Sequence, residues 1–423
     1  MAAGRRLTVE RASASLGDVE APALAATAQA PATPRERLRR FLALDLLDNR
    51  YPALHGLRVL AILTVIQWHV TWIVGVENGV VLDREFVDQS LALFFGMDLF
   101  FILSGFLIGS ILLRSVETAG SQQLQRFYVR RIFRTFPSYW IVLTILALGT
   151  KLTSGQRANL PFEYLYLTNF RPLGRDMIVM FWGWSLSLEE QFYLTVPLLL
   201  FALTRLRSDR GRIALLGGLW LIPLALRLTI YLRGRPWDDL ALYSALYFRT
   251  ATRFDTLIAG VLLALVHRRW GKAIAVWLQA PLHRAMLALP SLSCLWLLLF
   301  PTMFGQDNVQ PYHVFAWGSL TSLMYLPALT LLLHSEGAIS HALSAPIFRR
   351  VATLGYGVYL VHIPLIDHLA VPAAHWLDGR HVPRSLIWIV SMAGVCALSW
   401  AIGYLLHVLV EKPSLRVRDR LAA

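Results

Sequence analysis

Leu91-Ala-Leu-Phe-Phe-Gly-Met-Asp98-Leu-Phe-Phe-Ile-Leu-Ser104-Gly-Phe-Leu-Ile-Gly-Ser-Ile-Leu-Leu113 carries one charged side chain. As a helix such a stretch is long enough to cross the hydrocarbon core of a bilayer, about 30 Å. Similar runs recur at 54–76, 134–151, 185–204, 212–232, 251–267, 285–304, 314–334, 353–371 and 386–410. Inside lipid a backbone must satisfy its own polar groups, so these segments are expected to be helices. The fold class that follows is an all-α, polytopic transmembrane bundle of about ten spans. Composition agrees. The chain is 56% hydrophobic with mean hydropathy +0.52, and 16% of its residues are charged, against roughly 25% in soluble proteins. A soluble multidomain enzyme is thereby excluded.

The net charge of +14 does not point to nucleic acid. The basic residues concentrate in alternate short loops: Arg126, Arg130, Arg131 and Arg134; then Arg205, Arg207, Arg210 and Arg212; then Arg268, Arg269, Lys272 and Arg284; then Arg349 and Arg350. The intervening loops are poorer in Lys and Arg, the first holding Glu77, Asp83, Glu85 and Asp88 against Arg84. The rich side is expected to be cytoplasmic. Both termini then lie inside, as an even number of spans requires. Residues 1–50, rich in Ala, Pro and Arg, contain no signal-peptide core. They read as a mostly disordered tail in which Glu36–Leu47 can form an amphipathic surface helix. Residues 51–415 form the membrane domain, and 416–423 a short basic tail. Cys294 and Cys396 lie in apolar runs and suggest neither a disulfide nor a metal site. No internal repeat is visible, and nothing specifies an oligomeric state.

Ionisable groups within spans are costly, so they are candidates for function, the alternative being interhelical hydrogen bonds or ion pairs. Arg58 and His69 in the first span are eleven residues apart, so they share a helix face about 16 Å apart along the axis. That places Arg58 near the cytoplasmic boundary and His69 near the bilayer centre. Such an arrangement suits an anionic donor bound at the rim and chemistry at the imidazole. Asp98 needs a partner, while Gly96, Gly105 and Gly109 allow close helix approach. Arg130, Arg131 and Arg134 fall one turn apart before Pro137, which is expected to bend or restart the helix. Their cluster can bind phosphates or can serve as positive-inside or lipid-contacting charge. Glu189 and Glu190 sit just inside the outer boundary of the fourth span, and one of them can pair with His69. Arg253 and Asp255 read as an ion pair with each other. His362 is a second buried imidazole.

Taken in order, these blocks resemble the acyltransferase family 3 over about residues 50–415. The resemblance rests on Gly56-Leu-Arg58 with His69, the Asp98–Phe106 run, Arg130-Arg-Ile-Phe-Arg-Thr-Phe-Pro-Ser-Tyr-Trp140 and Trp184-Ser-Leu-Ser-Leu-Glu-Glu-Gln-Phe-Tyr193. Arg253-Phe-Asp255 followed by Gly260, Tyr359-Leu-Val-His362 and Glu411-Lys-Pro413 complete it. Two positions depart from the pattern: His55 stands where members often have Asp, and Gly355 where they have Ser. The resemblance implies transfer of an acyl group, often acetyl, from cytoplasmic acyl-coenzyme A to a hydroxyl of an envelope or exported glycan, or of a macrolide or similar small product. It places the protein in the bacterial inner membrane. It makes His69 and Glu189 catalytic and Arg58, Arg131 and Arg134 donor-binding, with Asp98, Ser104, Arg253, Asp255, Tyr359 and His362 in support. Acyl-coenzyme A is then a co-substrate, with no resident cofactor, no metal and no nucleic-acid partner. His69, oriented by Glu189 or another acid, would act as general base or would carry the acyl group itself. A transporter or flippase whose polar groups line a path is the alternative class, and an acyl-binding sensor a third.

Overall fold

The computed structural model describes residues 34–80, 82–91, 93–118, 121–172, 174–234, 240–303 and 311–421. Met1–Ala43 and Leu44–Ala423 are separate units. The described part of the first contains helix α1 (Pro34–Leu42), which begins earlier and ends sooner than the surface helix expected over Glu36–Leu47. Residues 1–33 of the expected disordered tail lie outside the described residues. Leu44–Arg50 belongs to the second unit. The Asp45 amide donates to His407 Nε2 at 3.2 Å, and Arg349 Nε donates to the Leu47 carbonyl at 2.7 Å.

Among its described residues the second unit is built of helices joined by short irregular segments, with no strands. Its helices are α2 (Ala53–Val70), α3 (Arg84–Leu91), α4 (Gly96–Thr118), α5 (Ser121–Gly149), α6 (Ser154–Tyr164), α7 (Trp184–Arg205), α8 (Asp209–Arg233), α9 (Leu240–Tyr247), α10 (Asp255–Trp277), α11 (Pro281–Met303), α12 (Pro311–Phe315), α13 (Trp317–His334), α14 (Ala338–Leu343), α15 (Pro346–Thr353), α16 (Gly355–Leu365), α17 (Val371–Asp378), α18 (Arg384–Leu406) and α19 (Lys412–Leu421). Wider π-helical segments follow α2, α16 and α18, over Thr71–Glu77, Ile366–Ala370 and His407–Glu411.

Among the described residues, eight segments are long and apolar enough to cross a membrane: those built on α2, α4, α5, α7, α8, α11, α16 with α17, and α18 with α19. The other two expected spans are also helices, α10 and α13. α10 carries Arg268, Arg269 and Lys272 in its second half, and α13 carries Ser319, Thr321 and Ser322. A helix shielded by its neighbours needs less apolar surface than one facing lipid. Asp255–Val261 of α10 are all buried. α8 and α11 instead present Leu221, Ile222, Leu289, Leu292 and Trp296 outward.

α10 is the central post, packed most closely on α4 and also on α8 and α13. Glycine makes that contact possible. A Cβ on Gly105 would strike the Leu257 carbonyl, and one on Gly260 would strike the Ile102 carbonyl, so the two backbones touch. Two fully buried ion pairs brace the same helices. Arg253 Nη1 reaches Asp98 Oδ1 at 2.6 Å, and Arg227 Nη2 reaches Asp255 Oδ2 at 2.7 Å. The expected Arg253–Asp255 pair therefore does not form. Positions two apart near a helix start point away from each other, and each finds a partner on another helix. Arg227 also donates to the Phe315 and Thr252 carbonyls at 2.7 and 2.6 Å.

α5 begins at Ser121, so the arginines expected in a loop are helical, and the helix continues through Pro137. Proline has no amide hydrogen to give the carbonyl four residues back. That carbonyl, of Phe133, accepts from Ser414 Oγ at 2.7 Å, which docks α19 on α5. The expected outer loop 152–184 is a folded cap. Thr153 and Gln156 form a capping box on α6, and Gln156 and Asn159 hold the carbonyls of Arg175 and Met177 at 2.8 and 3.1 Å. Buried Glu163 accepts from the amides of Val179 and Met180 at 2.9 and 2.8 Å.

Candidate functional site

His69 lies one residue before the end of α2. Its Nδ1 is 2.8 Å from the Val65 carbonyl, which can only accept, so Nδ1 bears the hydrogen. His362 Nδ1 is likewise 2.6 Å from the Tyr359 carbonyl, leaving His362 Nε2 bare and 3.3 Å from His69 Nδ1. The neutral His69 ring therefore keeps its Nε2 lone pair uncommitted. A proton or acyl group arriving there would leave a cationic ring whose Nδ1–H faces the Val65 oxygen and the His362 lone pair.

The expected carboxylate partner is absent from this arrangement. Glu189 instead accepts from Ser104 Oγ at 2.5 Å and from the Tyr193 hydroxyl. It meets Ser104 in the body of α4.

His69 borders a cavity of about 760 Å³. Aromatic rings dominate the wall: Trp68, Trp72, Phe94, Trp182, Trp184, Tyr247 and Trp317. Trp68 and Trp72 are stacked with centroids 5.8 Å apart. The Tyr359 hydroxyl donates to the Trp182 carbonyl at 2.9 Å and so accepts from Ser185 Oγ at 2.6 Å, tying α16 to α7 beside the histidines. Arg253 lies 5.6, 4.8 and 5.3 Å from the ring centroids of Trp184, Tyr247 and Trp317. The Asp98–Arg253 pair thus backs the aromatic wall rather than the imidazoles. Arg175 of the cap also borders the cavity, bound to Glu77 at 3.0 Å and to Asp367 at 2.8 Å.

The other end of α2 meets a second constellation. Arg58 lies within the fields of Arg134, Tyr193, Glu189 and Arg131. The Arg131 guanidinium sits over the Tyr193 ring, 4.7 Å from its centroid. Beyond it a pocket of about 380 Å³ is lined by Arg126, Arg130, Arg131, Arg134 and Arg418, with Ile111, Leu112 and Phe127. Among the described residues, none of the four α5 arginines forms an ion pair with a carboxylate. Also among the described residues, no group of three His, Cys, Asp or Glu side chains could hold a metal ion.

The singled-out residues thus fall into three groups. His69 and Tyr359 line the aromatic cavity with His362 packed against both; Arg58, Arg131, Arg134, Glu189 and Ser104 share the basic end; Asp98, Arg253 and Asp255 brace the bundle. Four participants escaped sequence reading. Arg227 and Tyr193 left a signal, the first as a charge within a span, the second one helical turn after Glu189. Arg175 and Arg418 left none, since both sit among ordinary loop and tail residues.

The fold is that of a polytopic membrane protein, with a basic pocket and an aromatic cavity among its described residues. The model of the acyltransferase family 3, described as an acyltransferase domain, matches residues 51–404, and the chain belongs to that family. It is 27% identical over 368 residues to the peptidoglycan O-acetyltransferase OatA of Listeria monocytogenes, covering 82% of this chain and 54% of that protein. It is 28% identical over 335 residues to a Bacillus subtilis protein named as a putative peptidoglycan O-acetyltransferase, covering 75% and 49%. A Staphylococcus aureus protein named as a putative O-acetyltransferase is 25% identical over 345 residues, covering 78% and 52%. The chain spans about half the length of these relatives. No solved structure matches it significantly.

Proposed function

We propose that the protein is a bacterial inner-membrane O-acyltransferase. It moves an acyl group, acetyl in the first instance, from cytoplasmic acyl-coenzyme A to a hydroxyl of an envelope or exported glycan. One observation carries the reading. One helix, α2, carries Arg58, in the fields of Arg131 and Arg134, which form no ion pair with a carboxylate among the described residues, and, about three turns away at the aromatic cavity, His69, whose Nε2 makes no hydrogen bond among those residues. The names of the relatives support acetyl as the group and a cell-wall glycan as the acceptor class.

The arginines of α5, with Arg58, hold the phosphates of the donor through charge-assisted hydrogen bonds. The thioester arm then extends along α2 towards His69. In direct transfer the acceptor oxygen attacks the thioester carbon while His69 Nε2 takes the hydroxyl proton. The carbon–sulfur bond breaks, and the proton returns to the departing thiolate. In the covalent route Nε2 itself attacks the thioester and coenzyme A leaves as thiolate; the acceptor oxygen then takes the acyl group from the ring, its hydroxyl proton passing to the freed Nε2 and on to the thiolate. Both routes place positive charge on His69, which the Val65 carbonyl and His362 Nε2 stabilise. Glu189, bound to Ser104 and Tyr193, offsets the charge of Arg58 and Arg131 between the two ends.

The test is to incubate membranes bearing the protein with acetyl-coenzyme A labelled in the acetyl group, and to measure free coenzyme A and labelled glycan. Acceptor-dependent release of coenzyme A is expected. Binding of donor without any release would favour a sensor. Movement of glycan across the membrane without label would favour a transporter.

A further inference from the structure

The five-arginine pocket contains a residue from outside the α5 cluster. Arg418 belongs to α19, the last described helix, and borders the same cavity as Arg126, Arg130, Arg131 and Arg134. Its placement is built. Ser414 fastens α19 to α5 through the carbonyl that Pro137 leaves without an amide partner. One turn later the Arg418 guanidinium enters the field of Arg134. Two of its N–H groups are held by Asp419 Oδ1, at 2.9 Å from Nε and 2.7 Å from Nη2. The Nη1 side is left for a ligand. Side-chain exposure is 23% at Arg418 and 67% at Asp419, so the carboxylate faces solvent while the guanidinium faces the pocket. Like charges gathered this closely repel unless an anion joins them.

We infer that α19 is a wall of the donor site and that Arg418, with Arg126 and Arg130, binds the 3′-phosphate of coenzyme A. This rests on the reading that coenzyme A is the donor. The chemistry favours it over a single phosphate ligand. Coenzyme A brings a pyrophosphate and a separate ribose 3′-phosphate, and the arginines number five, more than one phosphate can engage. Arg131 and Arg134 lie towards Arg58 and suit the pyrophosphate that leads into the thioester arm. Arg418 comes from a different helix and suits the phosphate that branches away. The apolar patch of Ile111, Leu112 and Phe127 between them can take the face of the adenine. The C-terminal segment is on this account a selector for the full nucleotide handle, and thioesters carried on a bare phosphopantetheine arm are poor donors.

The experiment measures binding of coenzyme A and of 3′-dephospho-coenzyme A to the purified full chain in a zwitterionic detergent. Wild type is expected to favour coenzyme A by about tenfold or more, the effect of a charge-assisted hydrogen bond. Arg418→Gln should lose that preference, with dephospho-coenzyme A bound as before. Arg416→Gln, on the same helix and outside the pocket lining, should retain it. Asp419→Asn frees the guanidinium and should raise the preference, which gives a readout independent of any unfolding of the glutamine variant. Equal binding of the two ligands by wild type, or an intact preference in Arg418→Gln, overturns the inference. Displacement of both ligands alike by anionic phospholipid would make the pocket a lipid-headgroup site and overturn it too. If neither ligand binds wild type at all, the coenzyme A reading fails with it, a result distinguishable from loss of the 3′-phosphate preference alone.

Discussion

At the scale of residues, the mechanism turns on one lone pair. His69→Gln is expected to abolish acyl transfer at unchanged membrane abundance and donor affinity. An amide can keep the hydrogen bond to Val65 but cannot accept a proton near neutral pH. Near wild-type turnover in that variant, measured as labelled acetate transferred per protein, would remove His69 from the chemistry. His362 touches the other ring nitrogen and positions it. His362→Ala should lower turnover roughly ten- to a hundredfold, the range found when groups that orient a functional imidazole are removed, with donor affinity unchanged. A parallel loss of donor binding would mean that His362 holds the bundle together instead. Both histidines stood out in sequence as imidazoles within spans. Their pairing did not, because they are 293 positions apart and no local pattern specifies which buried groups meet.

At the scale of elements, α5 and the outer cap each carry an expectation. Arg131→Ala and Arg134→Ala should weaken acyl-coenzyme A binding by roughly 1.5–3 kcal/mol each, the worth of a charge-assisted contact. Arg205→Ala, at the end of α7, should not. Equal affinity in all three would leave the α5 arginines as topology charge alone. In the cap, burial pushes the Glu163 carboxyl from its ordinary 4.5 up to about 7, against the lowering effect of the Val179 and Met180 amides. The folded cap therefore prefers the protonated form. Its stabilisation is complete below pH 4.5 and is lost as the pH rises to about 7. Proteolysis within 171–180 should be slower at pH 5 than at pH 8 in wild type and insensitive to pH in Glu163→Gln. A cleavage rate that falls as the pH rises in wild type would reverse the sign. The same cap carries Arg175 to Glu77 and Asp367, both on π-helical segments at the cavity rim.

Across the whole molecule, buried charge and membrane orientation are coupled to the fold. Asp98→Asn leaves Arg253 charged and without its carboxylate, which should cost about 3–5 kcal/mol. A thermal scan in detergent would show it, and an unchanged midpoint would mean that the bundle is held by its glycine contact and apolar packing without the pair. Orientation follows from the arginine asymmetry. A cysteine placed at residue 157 in the cap should react with an impermeant reagent from outside, and one at residue 122 should not. The reverse labelling would invert the topology and put the arginine pocket out of reach of a cytoplasmic donor.

The sequence alone determined the class of architecture, because twenty-odd apolar residues in a row have one economical use and backbone hydrogen bonding leaves helix as the only form for it. It also singled out polar residues as candidates, since a charge or imidazole in such a run is conspicuous by its cost, and the order of its motifs already resembled the family to which the chain belongs. The tertiary structure alone decided how those residues combine. Asp98 took Arg253, Asp255 took Arg227, and Glu189 joined Ser104 and Tyr193 while His69 paired with His362. Residues 121–133 became helix, the described residues of 152–184 a folded cap, and Arg418 of α19 part of the wall of the basic pocket. The physical reason is common to all of these. The cost of burying a polar group is local and can be read from its neighbours in the chain. The partner that relieves the cost is mostly supplied by packing between different helices, as far as 293 positions apart in the chain, about which local pattern carries no information.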